Sequence, residues 1–126
     1  MANYDFSTLN DRDLEELTRD LLSKVLNVNF QSFKPWKYKG IDLRYSTVND
    51  ENEIVVQVKH YLGSGISKLK LDLSNNETQK VVTLKPKRYI FCTSLPLSPQ
   101  DKEDIKNIFN PYIHSTSDVI GKEDLN

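Results

Sequence analysis

The run Ile-Val-Val-Gln-Val-Lys, residues 54–59, most constrains the fold of this 126-residue chain, because it predicts a buried β-strand. Most of its residues are β-branched, yet an amide stands inside the run and a lysine ends it. Successive side chains of a strand alternate between two faces, so Gln57 and Lys59 share one face and the intervening valines point to the other, into a core. Packing alone does not explain two polar side chains on one face of such a strand.

Length and composition predict one domain, residues 1–126. The chain is 37% hydrophobic and 28% charged, an ordinary globular balance. No stretch approaches the length of a membrane span, and the N-terminus has neither the basic start nor the apolar core of a signal peptide, so we expect the cytoplasm. Cys92 is the only cysteine, which excludes an internal disulfide and a cysteine-based metal cluster. We interpret it as a small buried residue.

The net charge of −1 does not indicate nucleic-acid binding, but the charges are unevenly distributed. Residues 59–88 hold seven basic and two acidic residues, whereas acidic residues gather near both ends of the chain. A locally basic face is compatible with phosphate contacts, and charge alone supports a solvated lysine face equally well.

Apolar periodicity and turn signals predict alternating helices and strands. A helix capped by Asn10 or Asp11 ends near residue 26, a helix or a broken pair of helices is interrupted around Asn75 and Asn76, and a third helix begins at Ser98. The predicted strands cover residues 28–33, 41–46, 53–60, 88–94 and 113–119. This order predicts an α/β sandwich, with a mixed central sheet flanked by helices.

Asp42 precedes the turn at residues 49–52, on the strand before Gln57 and Lys59, within cross-strand reach if that turn is tight. A carboxylate and an amide oxygen are hard ligands suited to Mg²⁺. A lysine beside the cation can orient a water or stabilise phosphate charge, so the set fits metal-assisted hydrolysis of a phosphodiester. The alternative is a surface aspartate and a lysine at the end of an exposed strand.

These residues carry a resemblance. Gly-Ile-Asp-Leu from Gly40 and Val-Gln-Val-Lys-His-Tyr from Val56 resemble the core motif of the PD-(D/E)xK nuclease superfamily, and are most similar to its Mrr-like restriction endonuclease branch, where glutamine often replaces the second acid. Asp-Leu-Glu-Glu-Leu from Asp13 resembles the first-helix motif of that branch. The resemblance covers residues 9–119 approximately and implies a three-layer restriction-endonuclease-like sandwich.

The resemblance implies a role for each matching residue. Asp42 would be the main ligand of Mg²⁺, with Mn²⁺ as a substitute, and Lys59 would position the attacking water and offset phosphate charge. Gln57 would ligate through its side-chain oxygen or only orient a water. Glu15 would complete the site, directly or through water, and matters more because an amide brings no charge. The Val58 carbonyl would supply a further metal contact, and Glu16 is the alternative register for Glu15.

Other polar residues suggest contacts with the DNA backbone. Ser64, Lys68 and Lys70 follow a Gly-Ser-Gly turn that could approach a phosphate, and a plain turn is the alternative. Lys37 and Lys39 flank Tyr38 in an aromatic-basic loop, whose Trp36 fits a core-covering role equally well. His60 points to the face opposite Lys59, where a packing or surface role outweighs catalysis, and His114 is interpreted as structural.

The leading hypothesis is a Mg²⁺-dependent endodeoxyribonuclease that cuts double-stranded DNA with little sequence preference. The chain resembles the Mrr-like domain at the N-terminus of STAND-type NTPases in bacterial antiphage defence, which implies a fragment of a longer protein. It also implies an active homo-oligomer, a dimer or tetramer, driven by a downstream NTPase or sensor. The alternatives are a catalytically weak or inactive nuclease fold that binds DNA or a protein partner, and a nuclease directed at RNA.

Overall fold

The computed structural model describes residues 11–32, 43–45, 53–60 and 65–125. The helices are α1 (Asp11–Leu26), α2 (Ile66–Asp72), α3 (Thr78–Leu84), α4 (Pro99–Ile108) and α5 (Lys122–Leu125), and the strands are β1 (Gln31–Ser32), β2 (Leu43–Tyr45), β3 (Ile54–Lys59), β4 (Arg88–Thr93) and β5 (Val119–Ile120). A π-helical turn, Leu73–Glu77, joins α2 to α3, and a 3₁₀ turn, Thr116–Asp118, precedes β5. No helix among these residues is long and apolar enough to cross a membrane.

The strands form one mixed sheet in the order β1-β2-β3-β4-β5. The first three strands pair antiparallel, and β3, β4 and β5 pair parallel. Strand β3 is therefore central, with its residues Gln57 and Lys59 beside Phe91 and Thr93 of β4. The structure confirms the predicted α/β class with a mixed sheet and flanking helices.

Two apolar cores cover the two faces of β3. Val55 belongs to a core with Leu69 and Leu73 from the segment between β3 and β4. The other core holds Val56 and Val58, as predicted, together with side chains from α1 and α5. Because neighbouring side chains of a strand alternate, α1 packs on one face of the sheet and helices α2 to α4 pack on the other.

The predicted interior position of Cys92 is confirmed. Its thiol is fully buried, with Sγ 3.4 Å from Oγ1 of the buried Thr18 in α1. The contact joins the centre of β4 to the helix that covers it, so this cysteine contributes to packing.

Helix ends follow local chemistry. Ser98 caps α4 as predicted, because its hydroxyl accepts a hydrogen bond from the Asp101 amide and the Asp101 carboxylate accepts one from the Ser98 amide. Helices α1 and α3 are followed by residues in the left-handed conformation, Asn27 with φ 57° and Lys85 with φ 49°. Asparagine tolerates that conformation better than lysine does.

Two strand predictions need correction. The predicted strand at 28–33 is reduced to Gln31–Ser32 among the described residues. The predicted last strand at 113–119 is present only at its end, because Val119 and the following Ile120 form β5 and residues 113–118 are not in a strand. One local and one long-range interaction bend the chain there: the Ser115 hydroxyl accepts a hydrogen bond from the Ser117 amide, and the Asp118 carboxylate binds Arg88 of β4.

Charged side chains join α2 to α4. Lys70 Nζ lies 2.9 Å from Asp101 Oδ1 and 2.8 Å from Asp104 Oδ2. Hydrogen bonds to the two carboxylates raise the pKa of Lys70, and the bond from Lys70 is the main cause of the lowered pKa of each aspartate. Lys70 therefore stabilises the charged form of each aspartate, and the two carboxylates stabilise the charged form of Lys70.

Candidate active site at the carboxyl end of strand β3

Gln57 and Lys59 lie near the carboxyl end of the central strand. Gln57 is 3% exposed, and the Lys59 side chain is 20% exposed. They share the face of Val55, which helices α2 to α4 cover. An amide and an ammonium group thus point into a largely enclosed region, where electrostatic interactions are stronger than at the surface.

The predicted metal ligand Asp42 lies outside the described residues. Its neighbour Leu43 pairs antiparallel with Val56, the residue before Gln57. Leu43 and Val56 are thus the last pair of β2 and β3 that the structure describes, and Asp42 and Gln57 are the residues adjacent to them in the sequence. The assignment of Asp42 stays a prediction.

Glu15 lies on α1 and is half-buried, as is Glu16. Leu14 and Leu22 of that helix pack against Val56 and Val58, on the opposite face from Gln57 and Lys59. The helix that carries Glu15 therefore lies on the opposite face of the sheet from Gln57 and Lys59. The role of Glu15 in the site stays a prediction.

One acidic residue of the site escaped the sequence analysis. Glu77, at the end of the π-helical turn, is 3% exposed, and its Oε2 lies 3.5 Å from Lys59 Nζ and 3.2 Å from Lys80 Nζ. In the sequence, Glu77 stands out only as one of two acids in the basic stretch 59–88. The missed signal is its position in an apolar stripe, since Leu69, Leu73 and Val81 recur at the same four-residue spacing and are buried.

The π-helical turn explains how a stripe with this spacing stays on one side. An α-helix has about 3.6 residues per turn, so positions four apart drift by roughly 40° at each step. A π-helical turn is wider, with hydrogen bonds between residues five apart, and it offsets the drift. The turn covers Leu73–Glu77, where the sequence predicted an interruption. It therefore keeps Glu77 facing the interior, beside Lys59.

The two oxygens of Glu77 have different surroundings. Both lysine contacts fall on Oε2. The other oxygen, Oε1, is buried and accepts no hydrogen bond from any residue that the structure describes. A buried acceptor without a partner costs about 1–3 kcal/mol, so such atoms are rare in folded proteins and call for a specific explanation.

His60 follows Lys59, and its side chain contacts the residue directly after β4. Its Nδ1 lies 2.7 Å from Oγ of Ser94, which is buried directly after β4. The Ser94 amide also donates a hydrogen bond to the Lys59 carbonyl at 3.4 Å. These contacts fasten the carboxyl ends of β3 and β4 together, in agreement with the packing role predicted for His60.

The predicted DNA contacts are partly described. Lys68 is exposed on α2, as a phosphate contact requires. Lys70 is bound to two carboxylates, so contact with a phosphate would compete with these ion pairs. Ser64, Lys37 and Lys39 lie outside the described residues. All five assignments stay predictions.

The metal prediction rests on oxygen donors. The described segments contain no group of three or more His, Cys, Asp or Glu side chains that could hold a metal ion. They do contain the amide oxygen of Gln57 and the carboxylate of Glu77, which are hard donors of the kind that Mg²⁺ takes. With Asp42 as a further ligand, the donor chemistry would fit Mg²⁺.

A groove of about 320 Å³ between α1 and the amino end of β4 is lined by none of the predicted site residues.

Comparison with known proteins gives one relative. The chain is 40% identical over 123 residues to the uncharacterized protein y4cD of Sinorhizobium fredii, and the match takes in 98% of this chain. The chain spans only 19% of the length of that relative. No family model matches the chain, and no solved structure does.

Proposed function

We propose that the chain is a Mg²⁺-dependent endodeoxyribonuclease domain of the PD-(D/E)xK type, with the glutamine variant of the motif. The observation that carries the proposal is the pair Gln57 and Lys59 on one covered face of the central strand. The pairing of Leu43 with Val56 supports it, because the expected ligand Asp42 directly precedes Leu43 in the sequence.

The proposed chemistry divides between the side chains and the cation. Asp42, Gln57, Glu15 and the Val58 carbonyl would hold Mg²⁺, which when bound supplies positive charge to the phosphate oxygens. Lys59 would orient the attacking water through its ammonium hydrogens and offset the charge that develops on the phosphate.

The finer fold and the assembly belong to the same proposal. Helices on both faces of the mixed sheet support a three-layer, restriction-endonuclease-like sandwich. We propose that the domain acts in antiviral defence as the effector of a longer protein, whose NTPase or sensor part brings copies together so that two sites cut two strands. The relative with a similar stretch over 19% of its length is compatible with a domain that works inside a larger chain.

A plasmid assay tests the reaction. Supercoiled plasmid is incubated with the chain and Mg²⁺, and the Asp42→Ala and Lys59→Ala variants are compared with wild type. Lys87→Ala is the matched control, because Lys87 is an exposed cation beside the amino end of β4, away from the carboxyl end where Lys59 lies. We expect cleavage by the wild type and the control only. Cleavage that survives in both site variants would contradict the proposal.

A binding module without catalysis is the second candidate. The specific observation in its favour is the neutral, buried amide of Gln57, which brings no charge to a metal site. Titration of the wild type and of Asp42→Ala with Mn²⁺ separates the two functions, since an active site should bind the ion in a way that requires Asp42. DNA and RNA substrates offered side by side separate the two nuclease activities.

A further inference from the structure

We infer that Glu77 is the second carboxylate of this site: its Oε2 holds Lys59, and its Oε1 is a ligand for the divalent cation. This inference rests on the proposed nuclease function and deepens it. It assigns to the helical segment between β3 and β4 the negative charge that Gln57 does not provide.

The first support is the asymmetry of the carboxylate. Glu77 is 97% buried, and both Lys59 and Lys80 approach the same oxygen. A carboxylate buried only to neutralise these two lysines would gain most by sharing its two oxygens between them. Among the described residues Oε1 has no donor, although it is buried and belongs to the carboxylate that contacts Lys59.

The second support is the local backbone. The π-helical turn Leu73–Glu77 gives up regular α-helical hydrogen bonding at the segment that ends with Glu77. A surface position for this acid would need no such turn. The distortion keeps it in the buried stripe with Leu69, Leu73 and Val81.

The third support is the charge of the predicted site. Divalent cations bind more tightly as the number of anionic ligands rises, and Gln57 contributes none. Glu77 carries a carboxylate to within 3.5 Å of Lys59, the neighbour of Gln57 on the same strand face. Within the described part of the chain Oε1 accepts no hydrogen bond, and such a hard oxygen donor is suited to a hard cation.

The test measures ion binding, because cleavage alone would not separate a ligand from a structural acid. The full chain is titrated calorimetrically with MnCl₂ in the absence of DNA, as wild type, Glu77→Gln, Asp42→Ala and Glu103→Gln. Glu103 is the matched control, since it is an exposed glutamate on α4 and undergoes the same change. We expect Glu77→Gln to weaken Mn²⁺ binding at least about tenfold and Glu103→Gln to leave it unchanged.

The outcomes separate this inference from the proposed function. Mn²⁺ binding that requires Asp42 but is equal in wild type and Glu77→Gln would overturn the role of Glu77 and leave the nuclease proposal standing. A wild-type chain that binds no Mn²⁺ would overturn both.

A second variant covers the case in which Glu77→Gln does not fold. Glu77→Asp keeps the charge and the chance to pair with Lys59 and Lys80, but withdraws the oxygens by one methylene. We expect it to fold, as checked by circular dichroism and urea unfolding, and to weaken Mn²⁺ binding several-fold. Unchanged binding by a folded Glu77→Asp variant would contradict the ligand role and leave Glu77 only its ion pairs with Lys59 and Lys80.

Discussion

Replacing Asp118 with asparagine should lower the free energy of unfolding by about 2 kcal/mol. The buried carboxylate accepts two hydrogen bonds from Arg88, with Nε to Oδ2 at 3.0 Å and Nη2 to Oδ1 at 2.7 Å. This pair is the main cause of the raised pKa of Arg88. It ties the amino end of β4 to the turn before β5, so the expected loss reflects the anchoring of the sheet edge.

The magnitude follows from the geometry. A hydrogen bond to a charged group contributes about 1.5–3 kcal/mol, and a neutral one about 1 kcal/mol. Asparagine keeps one acceptor oxygen without charge and turns an NH₂ group toward the guanidinium, so one charge-assisted bond is lost and one is weakened. Since the Arg88 side chain is 37% exposed, water recovers part of the loss, which gives the figure of about 2 kcal/mol.

Urea unfolding measures this difference, with an unchanged m value as the sign that the unfolded state is unaltered. Lys87→Met is the matched control: Lys87 precedes Arg88, and its ion pair with Glu53 is long, at 3.6 Å, and exposed, so we expect less than about 0.5 kcal/mol. In a double-mutant cycle with Arg88→Met, we expect a coupling energy of about 1.5 kcal/mol. Additive single effects, or a control loss as large as that of Asp118→Asn, would refute the reasoning.

Three further substitutions test other parts of the fold. Asp101 has a pKa lowered chiefly by its hydrogen bond with Lys70, so its stabilising effect is complete above about pH 4 and disappears as the pH falls through the lowered value. The advantage of wild type over Lys70→Met in urea unfolding should therefore shrink as the pH falls below about 4, and a constant advantage would contradict the assignment. Lys85→Gly should raise the free energy of unfolding by about 1 kcal/mol, because the left-handed conformation at φ 49° is strained for lysine, and an unchanged urea midpoint would speak against that strain. Gly121→Ala should lower the free energy of unfolding by about 1–3 kcal/mol in the same assay, since a methyl group there would lie 2.8 Å from Leu97 Cγ. Gly65→Ala is the control and should change little, because no described atom would lie within 4 Å of its methyl group. Equal effects of the two substitutions would contradict this packing.

The sequence predicted the centre of the fold well. The apolar run in β3 and the run in β4 can only be buried strands, and the Ser98-Pro99 pair marks the start of α4, because each of these signals is local. Periodicity also located the broken helix between β3 and β4. Periodicity does not reveal why the helix is interrupted. The structure shows a π-helical turn at the interruption, in which the Glu77 side chain is buried.

The misses have non-local causes. The predicted strand 113–119 begins and ends with β-branched residues, Ile113 and Val119, but the Asp118 carboxylate is bound by Arg88, a partner 30 positions earlier. Sequence patterns indicated no role for Glu77 beyond one of two acids in a basic stretch, because its partner Lys59 lies on another element. Local patterns do not report such pairs, so buried acids in apolar stripes are the signal to examine in related sequences.

The central claim is that Gln57 and Lys59 form part of a metal-dependent nuclease site that works in an assembled state. The most direct measurement compares plasmid cleavage by the free chain and by the chain fused to a dimerising segment, each with Mg²⁺ and with a chelator. We predict that dimerisation increases cleavage, that the chelator abolishes it, and that Lys59→Ala abolishes it in the fused form. A fused wild-type chain that leaves the plasmid intact with Mg²⁺, or cleavage that persists with Lys59→Ala, would contradict the claim.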